Sequence, residues 1–289
     1  MKKITAWMVI GFGLLGPAFA ADLPAHIATK APSAASHNWS GFYAGLNVGY
    51  GWQDPTVNLT PNDIVASGFT LGGAFGGTAI PPASYDIKGM LGGAQAGYNW
   101  QLNRNFLVGI EADFNRANVK GETDSNFLFG AIPPTASNMT ATQNVDWFGT
   151  VRARVGWLPT DTLLLYATGG LAYGNVKENV ALNNPNGTAN GANTTSPFSF
   201  ACYGLNTTSC FAGSSSQFAV GWTVGAGAEY EIWQNVTLKV EYLYVDLGKT
   251  DLNVVAKSIR EPGTFPTSFT AHFSDLTFSV ARVGLNYRF

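Results

Sequence analysis

Nine charged side chains recur at alternate positions in this chain, and their spacing limits the chemistry that they can perform. Glu111 and Asp113 are two residues apart, as are Arg152 and Arg154. Because side chains two apart on a β-strand point to the same face, the acids of one strand can face the bases of its neighbour. The other five charged residues also fall on the face of their strands that we predict to point inward: Glu229, Glu231, Lys239, Glu241 and Arg282. We predict that these charges pair with one another in a polar interior, with an ion or proton path as the alternative.

Two residues near the C-terminus could support nucleophilic chemistry. His272 and Ser274 share a face, and a Ser nucleophile needs a neighbouring base. Asp275 falls on the opposite face, so the third, orienting member is missing. We therefore predict that the chain is not an enzyme and has no catalytic residues, with hydrolysis as a remote alternative.

Cofactor and metal ligands are sparse. Tyr85, Tyr203 and His272 are haem-iron ligands by residue type, but the sequence places none of them beside a flat apolar pocket. Cys202 and Cys210 are too few for structural zinc, which takes four ligands. We predict no cofactor and no metal site. In an exported chain the two thiols favour a disulfide, which would contribute roughly 2–3 kcal/mol.

Strands are the elements that must position these residues. Apolar residues alternate with polar or small ones in eight segments, which are 39–52, 87–101, 106–116, 145–158, 163–175, 217–232, 236–248 and 274–289. We find no convincing amphipathic helix to cover the apolar faces, so lipid is their remaining solvent, and strands persist in lipid only inside a closed barrel. We predict an all-β fold, a closed antiparallel eight-stranded transmembrane β-barrel.

The connections between these segments alternate in length. Three are short, whereas the segments 53–85, 117–144, 176–216 and 249–273 are long and rich in Asn, Thr, Ser, Gly and Pro. Short periplasmic turns and long extracellular loops are the outer-membrane arrangement. We therefore predict four long surface loops. The polar stretch 182–196 within them is the most solvated.

Both ends of the chain support export to the outer membrane. Residues 1–20 combine Lys2 and Lys3, an apolar run and the small-residue site Ala18-Phe19-Ala20, which is typical of a signal peptide cleaved after Ala20. We expect residues 21–38 to be a flexible periplasmic segment and residues 39–289 to be the barrel. Three alternate apolar residues end the last strand and form a predicted signal for the barrel-assembly machinery: Leu285, Tyr287 and Phe289.

Composition excludes a nucleic-acid partner. The chain is 46% hydrophobic and only 12% charged. Removing Lys2 and Lys3 with the leader changes 16 basic and 18 acidic residues to 14 and 18, a formal charge of −4. Nucleic-acid binding would need a basic patch. We expect outer-membrane lipid and lipopolysaccharide as the surroundings.

Several segments carry a family resemblance. They are WSGFYAGLNVGYGW (39–52), GGAQAGYNWQ (92–101), VGIEADF (108–114), ATGGLAYG (167–174), LKVEYLYVDLG (238–248) and RVGLNYRF (282–289). As a set they resemble the small outer-membrane barrels of alphaproteobacteria, which include the 25 and 31 kDa surface antigens of Brucella and have the barrel type of the OmpA transmembrane domain. The resemblance implies immunogenic surface loops and, in some members, haem binding or porin-like roles.

We therefore expect an outer-membrane surface barrel with a filled polar lumen. It would act in envelope structure and in surface interaction through its loops, with a host molecule or haem as the loop ligand. A narrow porin or a haem-binding barrel is the alternative. The pair His272 and Ser274 is similar to that of outer-membrane lipid A deacylases, which makes a lipid A-modifying hydrolase the remote alternative.

Overall fold

Twelve strands make up the computed structural model, which describes residues 38–64, 66–67, 79–129, 135–183, 209–256 and 267–289. The strands are β1 (Gly41–Gln53), β2 (Thr56–Pro61), β3 (Ala83–Ser84), β4 (Ile87–Gln101), β5 (Phe106–Phe129), β6 (Thr135–Thr160), β7 (Leu163–Asn183), β8 (Ser209–Trp233), β9 (Val236–Asp246), β10 (Thr250–Ala256), β11 (Ser268–Phe273) and β12 (Thr277–Arg288). Within the described residues, no helix is long and apolar enough to cross a membrane.

Eight of these strands form a closed ring. The order is β1, β4, β5, β6, β7, β8, β9 and β12, and every neighbouring pair is antiparallel. The first and last strands close the ring, with Leu46 opposite Leu285. Each strand of this ring is hydrogen-bonded to a neighbour on both sides, which a membrane-spanning sheet requires. The predicted eight-stranded transmembrane barrel is confirmed.

The half of the barrel nearest the C-terminus has an outer surface suited to lipid. On β5 the side chains of Phe106, Ile110 and Phe114 are about half exposed on the outer surface, whereas Glu111 and Asp113 between them are buried. This apolar-outside, polar-inside alternation is the transmembrane pattern. The residues that the sequence predicts to point inward therefore face the lumen.

The prediction of four long loops is wrong for much of the chain assigned to them. Strands β5, β6, β7 and β8 contain 24, 26, 21 and 25 residues, whereas about 9–11 residues cross a bilayer. Their outer ends, together with β2, β3, β10 and β11, occupy much of the segments assigned to loops. We call this outer part of the sheet the extension.

Polarity is inverted in the extension. Beyond Phe114, the outward residues of β5 include Lys120 and Glu122, while Val119 and Phe127 point inward and are buried. The same alternate positions of β5 still point inward. Apolar residues now occupy these inward positions and polar residues occupy the outward ones, because the wall passes from lipid into water. Apolar side chains must then turn inward to leave the solvent.

An apolar core therefore fills the extension. Two pairs of aromatic rings meet edge to face inside it: Phe148 with Phe278, at 5.4 Å between ring centroids, and Phe211 with Phe269, at 5.2 Å. All four side chains are at most 1% exposed. Burial of each such side chain contributes roughly 1.5–3 kcal/mol, so the extension has a hydrophobic core of its own.

Candidate functional site: a charge belt inside the barrel

Eight charged side chains meet in the membrane-spanning half of the lumen and form what we call the charge belt. Four are carboxylates and four are cations, so their formal charges cancel. All are at most 4% exposed. They lie on β5, β6, β8, β9 and β12: Glu111, Asp113, Arg152, Arg154, Glu229, Lys239, Glu241 and Arg282.

Glu111 is the centre of the charge belt. Its carboxylate accepts hydrogen bonds from Lys239 Nζ at 2.6 and 2.8 Å and from Arg152 Nη2. Arg154 Nη1 lies 3.3 Å from Oε2, and the Tyr43 hydroxyl donates to the same oxygen at 2.7 Å. Arg282 Nη2 lies 3.6 Å from Oε1, so this one carboxylate pairs with four cations from three other strands.

Asp113 and Glu241 join Arg152 to Arg282 across the lumen. Asp113 Oδ2 accepts from Arg152 Nη2 at 3.0 Å and from Arg282 Nη2 at 2.9 Å. Glu241 accepts from Arg282 Nε at 2.6 Å and from Arg152 Nη1 at 3.1 Å. Removing any one member therefore leaves at least one buried charge with fewer partners.

Arg154 is held by the carboxylates of Glu111 and Glu229 and by two aromatic rings. Its Nη1 atom donates to Glu229 Oε1 at 2.9 Å. The guanidinium carbon lies 5.1 Å from the Tyr43 ring centroid and 4.6 Å from that of Tyr166. Nε and Nη2 of Arg154 have no hydrogen-bond partner among the described residues, and the two ring faces supply cation–π attraction instead.

Two glycines make room for these tyrosines. A Cβ atom added at Gly97 would lie 2.4 Å from the Tyr43 hydroxyl, and one added at Gly227 would lie 2.5 Å from the Tyr166 hydroxyl. The Tyr166 hydroxyl donates to Glu241 at 2.8 Å. Sequence reasoning did not assign a role to Tyr166. Its inward parity, shared with Thr168, was the available signal.

Glu231 lies apart from the charge belt, at the end of the barrel near the chain termini. Its carboxylate pairs with Arg288 Nη2, and the Arg288 guanidinium lies 4.4 Å from the centroid of the buried Trp39 ring. Trp39 in turn donates from Nε1 to the Asp161 carbonyl at 2.9 Å. Sequence reasoning missed Arg288, although it has the same parity as Arg282.

A second polar cluster lies inside the extension. Gln143 Nε2 donates to Glu178 Oε1 at 2.7 Å, and the Tyr85 hydroxyl donates to Gln143 Oε1 at 3.2 Å. Burial, assisted by the negative charge of Asp251, raises the pKa of Glu178 to about 7.

This pKa predicts a pH-dependent extension. The folded state binds the Glu178 proton more tightly than the unfolded chain, whose pKa is near the ordinary 4.5. The contribution of Glu178 to stability is therefore fully present below pH 4.5 and decreases by up to roughly 3 kcal/mol as pH rises through the window between 4.5 and 7. Urea unfolding at several pH values measures this decrease in stability. Glu178→Gln should abolish the effect, and Glu122→Gln, on the exposed face of β5, should retain it. An unchanged pH profile in Glu178→Gln would assign the dependence to another group.

The residues considered for hydrolysis are not hydrogen-bonded to each other. His272 lies on the outer surface of β11, with Nδ1 2.8 Å from Asp251 Oδ1 and Nε2 2.9 Å from Thr60 Oγ1. Ser274 Oγ instead accepts from the Thr56 backbone N–H at 3.1 Å. These side chains stand on an exposed sheet surface.

The haem candidates are not brought together in the described part of the chain. Tyr85 is buried in the apolar core of the extension, and His272 is exposed on its outer surface. Tyr203 lies outside the described residues. Cys202 also lies outside them and the side chain of Cys210 is not described, so the disulfide stays a prediction.

The C-terminal residues face lipid. Leu285 and Tyr287 are about half exposed on the outer surface of β12, and Phe289 is 78% exposed. The outward alternation expected of the C-terminal strand is present. Recognition by the assembly machinery stays a prediction.

Comparison with known proteins agrees with this architecture. The family described as outer membrane protein beta-barrel domain matches residues 23–289. This chain belongs to that family. The 31 kDa outer-membrane immunogenic protein of Brucella melitensis is 37% identical over 268 residues, which cover 90% of this chain and 89% of that protein.

Two further proteins are similar to this chain. The 25 kDa outer-membrane immunogenic protein of Brucella abortus is 24% identical over the whole of both chains. Among solved structures, the outer membrane protein OprG of Pseudomonas aeruginosa matches with a TM-score of 0.44 and 11% identity, over 86% of this chain and 96% of that one. As a member of the outer-membrane beta-barrel family, this chain is an outer-membrane protein with a buried charged interior.

Proposed function

We propose that this outer-membrane barrel is a closed surface protein, which neither conducts solutes nor catalyses a reaction. It acts in envelope structure and in surface interaction through the segments that leave its outer rim. The observation that carries the proposal is the filling of the lumen along its length, by the charge belt in the membrane and by the apolar core above it.

The charge belt supports the absence of a pore. An aqueous pathway would need its charges to be hydrated, yet the eight side chains neutralise one another and are at most 4% exposed. Eight strands enclose a bore only wide enough for side chains. Arg152 and Arg282 reach carboxylates on other strands and so cross this bore.

The apolar core supplies a second closure. Phe148 and Phe278 are the inward side chains of β6 and β12 that follow the charge belt towards the extension, and their rings touch edge to face. An ion that passed the charge belt would then meet a buried apolar layer. Two closures of different chemistry would have to open together for conduction.

The extension suits presentation of a surface. Its outer face is polar, and its long hydrogen-bonded strands project beyond the bilayer as a continuation of the barrel wall. Segments that leave its rim are therefore anchored to a rigid support. We propose that these segments contact host or environmental molecules, that lipopolysaccharide surrounds the wall, and that the C-terminal strand with Phe289 engages the assembly machinery.

Single-channel recording tests the proposed function. The refolded protein is inserted into planar lipid bilayers, after its folding has been verified by a heat-dependent gel shift. We expect no sustained conductance steps at any holding voltage tolerated by the bilayer, whereas a general porin treated in the same way conducts. Sustained, reproducible steps from the folded wild-type protein would contradict the proposal.

A further inference from the structure

We propose that Lys88, Arg116 and Lys120 form a binding site for the phosphate groups of a phosphorylated lipid in the outer leaflet. We call these three residues the cationic patch. The inference rests on the membrane orientation of the proposed function and adds a ligand class to the outer wall. It does not depend on whether the lumen conducts.

The register of β4 and β5 places like charges opposite each other. Lys88 lies directly opposite Lys120, and Arg116 is on the same outward face of β5, opposite Gly92. Like charges in directly opposed positions of a sheet repel and destabilise the pair. An anion placed between them would convert this repulsion into attraction.

The cationic patch lies at the outer border of the lipid-facing surface. Lys88 is the next outward residue beyond Met90 on β4, and Arg116 is the next beyond Phe114 on β5. Met90 and Phe114 are 58% and 53% exposed on the apolar surface.

Aromatic residues on the neighbouring strands lie beside both ends of the cationic patch. Trp52 lies opposite Lys88 and Trp147 lies opposite Arg116. Such aromatic residues flank the apolar band of membrane barrels at the two interfaces. The cationic patch is therefore at the height of the lipid headgroups.

Lys88 is the only member of the cationic patch that pairs with a carboxylate in the described part of the chain. Arg116 and Lys120 have no carboxylate within 4.0 Å in the described part of the chain. Asp86 lies 3.3 Å from Lys88, but both side chains are more than half exposed. The nearby Asp146 is already paired with Lys177 at 2.6 Å.

Charge along β5 changes sign with height. Arg116 and Lys120 come first beyond the apolar surface, and Glu122 and Asp124 follow on the same outward face farther from the membrane. Cations at headgroup height with acids above them match a layer of lipid phosphate more closely than a soluble polyanion, which would approach from above. Arg also pairs with phosphate through two parallel hydrogen bonds.

Binding of bisphosphorylated lipid A tests the proposal. Wild type and a variant with Lys88→Gln, Arg116→Gln and Lys120→Gln are refolded in phosphatidylcholine nanodiscs, and retention of added lipid A is measured by native mass spectrometry. Each near-surface cation adds about fivefold to binding of an anionic lipid. Allowing for screening, we expect the triple variant to lose about tenfold or more in affinity.

A matched control removes three cations elsewhere. Arg104→Gln, Lys249→Gln and Lys257→Gln change the net charge equally, and we expect less than about twofold loss from them, because none of these residues belongs to the cationic patch. The control keeps Lys177, because that residue pairs with Asp146. In phosphatidylcholine alone the patch variant should be at least as stable as wild type, because its like charges are gone. That readout separates lost binding from misfolding.

Three results would overturn the proposal. The first is equal loss of lipid A binding in the patch and control variants. The second is equal wild-type affinity for lipid A and for its fully dephosphorylated form. The third is a soluble polyanion such as heparin that loses affinity for the patch variant while lipid A binding is unaffected. None of these outcomes bears on the conductance of the barrel.

Discussion

Replacing Arg152 with methionine should lower the free energy of unfolding by about 3–5 kcal/mol, because it strands buried carboxylates. The guanidinium contacts Glu111, Asp113 and Glu241, and its own side chain is fully buried. Methionine fills a similar volume, so the loss reports charge and hydrogen bonding more than a cavity. Urea titration in lipid vesicles, followed by the heat-dependent gel shift, measures the change.

Two comparisons separate pairing from general damage. Arg104→Met, in the short turn between β4 and β5, should change stability by less than about 0.5 kcal/mol. Glu111→Gln added to Arg152→Met should cost less than the sum of the two single changes, since one charge of each sign is then removed. Strictly additive losses would remove the claim that these residues are energetically coupled.

Replacing Phe211 with alanine should destabilise the extension by about 3–5 kcal/mol. Phe211 is fully buried and packs against Phe269, yet it belongs to a part of β8 that the sequence assigned to a loop. A truncated side chain in a solvated loop would cost almost nothing. The substitution therefore distinguishes the two assignments by a large margin.

Backbone amide exchange reports where the damage occurs. In Phe211→Ala, amides of the extension on β6 and β7 should exchange faster, whereas those beside the charge belt keep their protection. Phe218→Ala is the control, because Phe218 is on the same strand but faces lipid and is 62% exposed. Equal loss of protection in both variants would contradict a separate core in the extension.

The membrane-spanning barrel was predictable because one rule governs all of its strands. A charge on the lipid face is expensive, so the parity of Glu111, Arg152 and Lys239 identified the lumen side without any structure. The pairing of neighbouring antiparallel strands then brings the acids of β5 opposite the bases of β6. Particular partners across the bore, such as Arg282 with Asp113, depend on three-dimensional closure and could not be assigned.

The extension was missed because its outer face resembles a loop in composition. Lys120, Glu122 and Asp124 on β5 are polar, and the apolar residues between them are few. The available signal was that the alternation continues without interruption along β5. Val119 and Phe127 remain on the face that carries Glu111 nearer the membrane. A search for segments in which the apolar and polar faces exchange while the alternation continues would have found the extension on β5. It would have failed on β6, where the inward residues Val145 and Phe148 are three apart across an irregularity in the strand pairing.

Hydrogen–deuterium exchange of the wild-type protein in nanodiscs tests most directly the claim that the barrel is packed along its whole length. The account predicts that amides of 117–127, 139–145 and 176–182 in the extension are protected for hours, like those of the membrane-spanning strands, because they are hydrogen-bonded over a buried core. Complete exchange of these three segments within seconds, with protection confined to the membrane-spanning residues, would contradict it.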